Sequence, residues 1–464
     1  MIAVREDLTE VVAGGMWIFL GSLIVSLSGF VFWVILSRLA GVESVGIASA
    51  VVSASGVATT LVSAGLNIAV VRVIAAGGPK AFTTSVLVAV VLGSVAAVLT
   101  VPLIHSLGYG GLTYFASALA LLTAAGVAVT QSLIGFELFK GFFTTLLTGS
   151  LAKVAVGVAL AVAGLGALAP LIGYLAYPVV ALIAGTSVVL PLLMRSGTLR
   201  LDAQEFKELI KLTFSNYPYM FSTQLMTMLG VYFFAYLIRE AVPVGTLYIA
   251  LMITLAISAI PNSLLSAALP IGVRRGTEPF AEGFRIGLSL ATPIVVFVGA
   301  ASSTVLGVIN PELLLGANTL KILLLSLPPL TALTSAIMSL NRRGDIKGLA
   351  AVGLIRLAVL TALLPPLTHY AGLLGASLAY LAANITPLPI ALKNIDIGHN
   401  LLKLWGIQAT LILTSASLSN YVGELPAAAF LTIATIPLMH ATRTYSIQEL
   451  TRTLRTAIVH LLRS

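Results

Sequence analysis

The sequence has no cysteine, five histidines and only 9% charged residues over 464 positions. The absence of cysteine excludes disulfides, thiolate metal centres and thiol nucleophiles. The histidines are scattered without HxxxH-like spacing, so neither a metal site nor any other cofactor is expected. So little charge also excludes a soluble globular domain of ordinary composition. Apolar residues fill the space, at 58% of the chain and a mean hydropathy of +1.07. Runs of 20 or more apolar residues recur along almost the whole length. As a helix, each is long enough to cross a hydrocarbon core of about 30 Å. The fold class expected is therefore an all-α integral membrane protein with no room for a sizeable soluble domain. The first run, Val11 to Leu36, reads as a retained span and not as a signal peptide.

Splitting the runs at charges, Gly/Pro clusters and polar turns predicts fourteen helices, at 11–36, 45–71, 81–107, 112–134, 141–164, 168–194, 212–238, 245–272, 285–309, 317–340, 348–368, 371–392, 403–421 and 425–443. Alternating the loops between the two faces puts 20 of the 25 basic residues on one side and only Arg38, Arg239 and Lys321 on the other. That asymmetry assigns both termini to the cytoplasm and the chain to the cytoplasmic membrane. It also accounts for the net charge of +9 without a nucleic-acid partner. The segments 199–212 and 445–464 carry apolar residues at helical spacing opposite charges and read as helices lying on the inner interface. For 199–212, a helix docked on the bundle fits equally well.

A repeat shows with a period near 200 residues. KGFFTTLLTGSLAK (140–153) and RGDIKGLAAVGLIR (343–356) both open on a cation followed by Gly, and both close on a cation thirteen residues later. SRLAGVESVGIASA (37–50) is echoed by IREAVPVGTLYIA (238–250). Six spans per half, both entering from the same side, predict parallel repeats. The expected division is a six-helix bundle over 1–200, a second over 201–400, and two added helices with an amphipathic tail over 401–464.

The repeat pairs Lys153 with Arg356, each about 20 Å of helix from the inner boundary. An ionisable group at that depth costs about 2.5–3.5 kcal/mol or more and turns to a bundle interior or a watery cavity. None of the sixteen Asp and Glu residues is placed near the midplane. Two unneutralised cations point to an anionic ligand such as a phosphate or pyrophosphate, with Arg offering a fork and Lys a point charge. The competing reading has them reaching lumenal water or backbone carbonyls, or Lys153 neutral. Arg38 and Arg239 at the outer ends of the first and seventh helices are candidates to guide an anion, though Glu43 and Glu240 beside them suggest local ion pairs. In SNYPYMFSTQ (215–224), Asn216 and Gln224 flank a helix-disrupting Pro218 and two tyrosines, which suits a hinge, a sugar-stacking surface or an interfacial anchor.

Residues 14–75 resemble the start of Wzx-type polysaccharide-biosynthesis flippases, through Ser37, Arg38, Leu39 and Gly41 in the first turn, Glu43 and Gly46 at the head of the second helix, and Gly65, Leu66 and Arg72 at its close. The resemblance implies the fold of the multidrug/oligosaccharidyl-lipid/polysaccharide superfamily: two six-helix bundles around a central cavity, plus two extra helices. It also implies a non-enzymatic function, in which alternating access carries a lipid-linked anionic glycan across the membrane, with Lys153 and Arg356 on the carrier's phosphates. Membrane lipids are the other expected partners, and a monomer is expected to suffice. The sequence departs from the family at Val231, where many members carry an Asp, and that puts ion coupling there in doubt. Two alternatives are a small-molecule antiporter of the same superfamily and a membrane glycosyltransferase or polymerase. Short outer loops holding only Glu43, Glu240, Glu312 and Glu424 offer the latter no catalytic constellation.

Overall fold

The computed structural model describes residues 2–196, 203–275, 280–343, 345–442 and 444, with the side chains at 2–15, 196, 215–216, 218–224, 266–275, 342 and 394 outside that description. The described chain is helical and without strands. Its helices are α1 (Ile2–Leu39), α2 (Val42–Ser63), α3 (Leu66–Gly77), α4 (Lys80–Ser106), α5 (Thr113–Gly135), α6 (Phe139–Val162), α7 (Leu168–Ser196), α8 (Ala203–Ile238), α9 (Ala241–Arg275), α10 (Phe280–Ala300), α11 (Ser302–Ile309), α12 (Ala317–Leu325), α13 (Leu327–Arg343), α14 (Ile346–Ile385), α15 (Leu388–Ala391), α16 (Gly398–Val422) and α17 (Glu424–Ala441). Among the described residues, twelve stretches are long and apolar enough to cross a bilayer.

Several boundaries differ from the sequence expectation, for identifiable reasons. The span expected at 45–71 breaks into α2 and α3 at Gly65, whose α-carbon lies against the carbonyl oxygen of Thr213 with no space for a side chain. The span expected at 317–340 is split at Ser326, because Pro328 and Pro329 cannot supply the amide hydrogens that would continue α12. The two helices expected at 348–368 and 371–392 are joined in α14 across a kink at the non-helical Gly372 (φ +53°), beside which Gly375 packs onto the carbonyl of Leu367, and the second ends early, at Ile385, with α15 following. Pro218 does not disrupt its helix, since α8 runs unbroken from Ala203 to Ile238. The described part of the 199–212 segment is the first turns of α8, and Leu209 is wholly buried in the core, so this segment is docked rather than free. The predicted tail helix at 445–464 lies outside the described residues.

The helices pack into two units. One comprises residues 1–252 with 356–376, the other 253–355 with 377–464. In the first, α2 is the central rod, with 72% of its span buried against 17% for α1. Its small side chains, read as VESVGIASAVVSASGVATTLVS, allow α4, α5 and α8 to crowd against it. A core of Leu66, Val70, Ile74, Phe82, Leu133, Phe142 and Leu209 joins α3 through α8 at one end of this unit. In the second unit α10 is the hub, packed by α13, α16 and α17. There Gln408 on α16 donates from Nε2 to Thr292 Oγ1 at 2.8 Å, and Ser335 on α13 donates to the Phe280 carbonyl at 3.0 Å. The carboxylate of Glu424, the first residue of α17, accepts from the backbone amides of Ser303 and Thr304 at 3.0 and 2.9 Å and so caps α11.

Candidate functional site

Among the described residues, Lys153 is the charged group that the first unit buries, with 4% of its surface exposed. Three helices enclose it. From α1, Phe32 faces the ammonium at 5.7 Å from the ring centroid; from α7, Tyr174 and Tyr177 do so at 5.9 and 5.6 Å. Each cation–π contact is worth about 0.5–2 kcal/mol, rising with desolvation. Among the described residues no carboxylate or other acceptor bonds to its Nζ. On α6 itself, Ser150 stands one turn earlier, 1% exposed, with a hydroxyl that has no partner.

The sequence of α6 makes this geometry possible. Gly149 and Gly157 stand four residues before and after Lys153, on the same helix face. A Cβ at Gly149 would lie 3.1 Å from the Tyr177 ring, and one at Gly157 would lie 2.5 Å from the Phe32 ring. Gly173 on α7 in turn sits against the backbone of Gly157, where a Cβ would come within 2.7 Å of its α-carbon. The glycines thus draw α1, α6 and α7 together and seat the rings around the ammonium. Beyond the box the aromatic contacts continue, from Phe32 to Trp33 at 5.0 Å and from Trp33 to Tyr248 of α9 at 4.9 Å, all three side chains being essentially buried.

The other expected site residues fall elsewhere. Arg356 lies half-buried on α14, in the segment that packs within the same unit as Lys153. Arg38 is exposed at the end of α1. Arg239 is exposed in the turn between α8 and α9, at a left-handed φ of +57°, with its guanidinium 5.7 Å from the Tyr236 ring centroid and not on Glu240. Asn216 and Gln224 lie outside the residues whose side chains are described. Tyr217, between them, donates its hydroxyl to the Leu61 carbonyl at 2.7 Å and so ties α8 to α2. Phe32, Tyr174 and Tyr177 were not among the residues expected from sequence. Glycines at four residues either side of Lys153 signal a close approach of other helices to this face of α6, without naming the rings that fill it.

Twelve stretches able to cross a bilayer, with a lysine buried among them, define a multi-span membrane protein. The sequence places it more narrowly. Residues 11–274 match the family described as polysaccharide biosynthesis protein, and the chain belongs to that family. No curated protein sequence matches it. Among solved structures it is similar to "Lipid II flippase MurJ, inward closed conformation", with a TM-score of 0.71 and 14% identity over 93% of this chain and 98% of that one. It is also similar to the MATE multidrug transporter DinF-BH, with a TM-score of 0.51 and 17% identity over 85% and 96% of the two chains. A further likeness is to a superfamily transporter from Pyrococcus furiosus, with a TM-score of 0.51, 13% identity and coverage of 88% and 96%. At these identities the likeness is one of fold, and it agrees with the superfamily expected from the opening residues.

Proposed function

We propose that this protein flips a lipid-linked oligosaccharide, carried on a polyprenyl or dolichyl phosphate or pyrophosphate, across the cytoplasmic membrane by alternating access. Both termini then lie in the cytoplasm, and a monomer suffices. The observation that carries this reading is Lys153, an ammonium buried in a membrane helix without a carboxylate partner among the described residues. Burying an unneutralised charge is costly, and the cost is accepted where a ligand supplies the opposite charge. A phosphate group meets that need, whereas a cationic drug would be repelled. Membership of a polysaccharide-biosynthesis family and the fold shared with a lipid II flippase support a glycan on a lipid carrier. In this reading Lys153 holds the phosphate from one side and Arg356 is its second contact. Arg38, Arg239, Asn216 and Gln224 are further contacts along the path of the glycan.

The test is transport by the purified protein in proteoliposomes, using a fluorescent polyprenyl-pyrophosphoryl glycan. Label should become accessible to a membrane-impermeant quencher or glycosidase, with the lipid unchanged by mass. Glycosyl transfer by the protein itself, or export of cationic dyes without lipid movement, would overturn the proposal.

A further inference from the structure

A buried ammonium can be stabilised by a carboxylate, by hydrogen-bond acceptors or by aromatic faces, and only the last surrounds Lys153 among the described residues. The choice has a chemical consequence. A carboxylate would occupy the donors of the ammonium and compete with any incoming anion. A ring face attracts the charge through its quadrupole but takes no directed hydrogen bond in doing so. The N–H donors of Lys153 therefore remain unspent, and the partnerless hydroxyl of Ser150 lies one turn away on the same helix. The box is built rather than incidental, because Gly149 and Gly157 clear the positions that Tyr177 and Phe32 occupy.

We propose that Phe32, Tyr174 and Tyr177 are positioning residues, forming a carboxylate-free aromatic box that holds the Lys153 ammonium charged with its donors open to a phosphate or pyrophosphate group. The inference rests on the flippase reading for the identity of that group. It adds that affinity for the anion is set by the electron density of rings that need not touch it. Loss of ring electrons at unchanged volume then weakens anion binding, whereas a purely packing role predicts no change.

The experiment uses the full chain in phosphatidylcholine nanodiscs, with Trp17→Phe and Trp405→Phe leaving Trp33, 5.0 Å from Phe32 and 5.8 Å from Tyr174, as the fluorescent reporter. Phe32 is replaced in turn by mono-, tri- and pentafluorophenylalanine, which are close in volume and progressively poorer cation binders. Inorganic pyrophosphate and geranyl pyrophosphate are titrated separately. The dissociation constant should rise stepwise, by about tenfold over the series. Tyr177→Phe should bind as the parent does, and Tyr177→Leu should lose binding. A graded response in both arms means that the headgroup alone is read, and one confined to geranyl pyrophosphate makes the lipid the ligand; either supports the box. A flat series, or no binding of either probe by the parent, overturns it. Lipid flipping by the same variants separates the two proposals. Graded binding without flipping in any variant removes the flippase reading and leaves the box, while normal flipping across a flat series removes the box alone.

Discussion

Gly46 and Gly245 meet backbone to backbone, at the heads of α2 and α9. A Cβ on Gly245 would lie 3.0 Å from the Gly46 amide nitrogen and 2.5 Å from the Val42 carbonyl oxygen, and one on Gly46 would fall on the Ala241 carbonyl. The contact is reciprocal, each glycine facing the residue four before the other. Both stand in the segments that the sequence pairs as a repeat, 37–50 and 238–250. No side chain can be admitted without parting the helices.

Gly46→Ala should therefore destabilise the protein by about 1–3 kcal/mol, the range for overpacking a close contact. Gly56→Ala is the control on the same helix. Its nearest neighbour is the side chain of Met228 at 3.0 Å, which can rotate aside. Thermal unfolding followed by size-exclusion fluorescence should show a clear loss of melting temperature for the first and little for the second. Equal losses would mean that the backbone crossing is not the constraint.

Lys153→Leu removes a buried charge and fills the box with a shorter hydrocarbon side chain. Because no protein acceptor is orphaned by the change, thermal stability should hold or rise, while flipping falls at least about tenfold if about 1.4 kcal/mol or more of headgroup binding is lost. The pairing of stability retained with transport lost is the signature of a group kept for a ligand. A Lys153→Leu protein that flips normally would remove the ammonium from the mechanism.

Gln408→Leu tests a different kind of buried polar group. Gln408 is wholly buried and its Oε1 has no partner, which already offsets what its Nε2 bond to Thr292 contributes. Thr292 keeps its own bond to the Leu288 carbonyl at 2.8 Å after the change. The substitution should alter stability by less than about 1 kcal/mol, and a stabilising sign is allowed. A loss of several kcal/mol in a denaturation series would point to an internal water or ion on Oε1.

Glu424→Gln weakens the cap of α11. Its carboxylate serves two backbone amides and the Thr304 hydroxyl, and a neutral amide can satisfy these only in part. A cost of about 1–2 kcal/mol is expected, with faster hydrogen exchange confined to the first turn of α11. Unchanged exchange at Ser303 and Thr304 would show the carboxylate to be dispensable.

The membrane class, most helix positions and the anomaly of Lys153 were legible because hydrocarbon imposes length and apolarity on every span, and a lone charge breaks that rule visibly. The splits at Gly65 and Ser326 were not, since apolar composition runs through both breaks and their causes are a carbonyl on another helix and a proline pair read as helix interior. The partners of Lys153 were hidden for a related reason. Phe32 and the two tyrosines are unremarkable in their own helices, and only packing of α1 and α7 onto α6 brings them to one point. Pro218 misled in the other direction, as α8 carries it without a break.

The cap on α11 also bears on biosynthesis. Ser303 and Thr304 receive their carboxylate from a residue 121 and 120 positions downstream. While the ribosome is still translating α12 through α16, the amides at the head of α11 do not yet have the Glu424 carboxylate. The cap of α11 is thus completed only after α17 has been made.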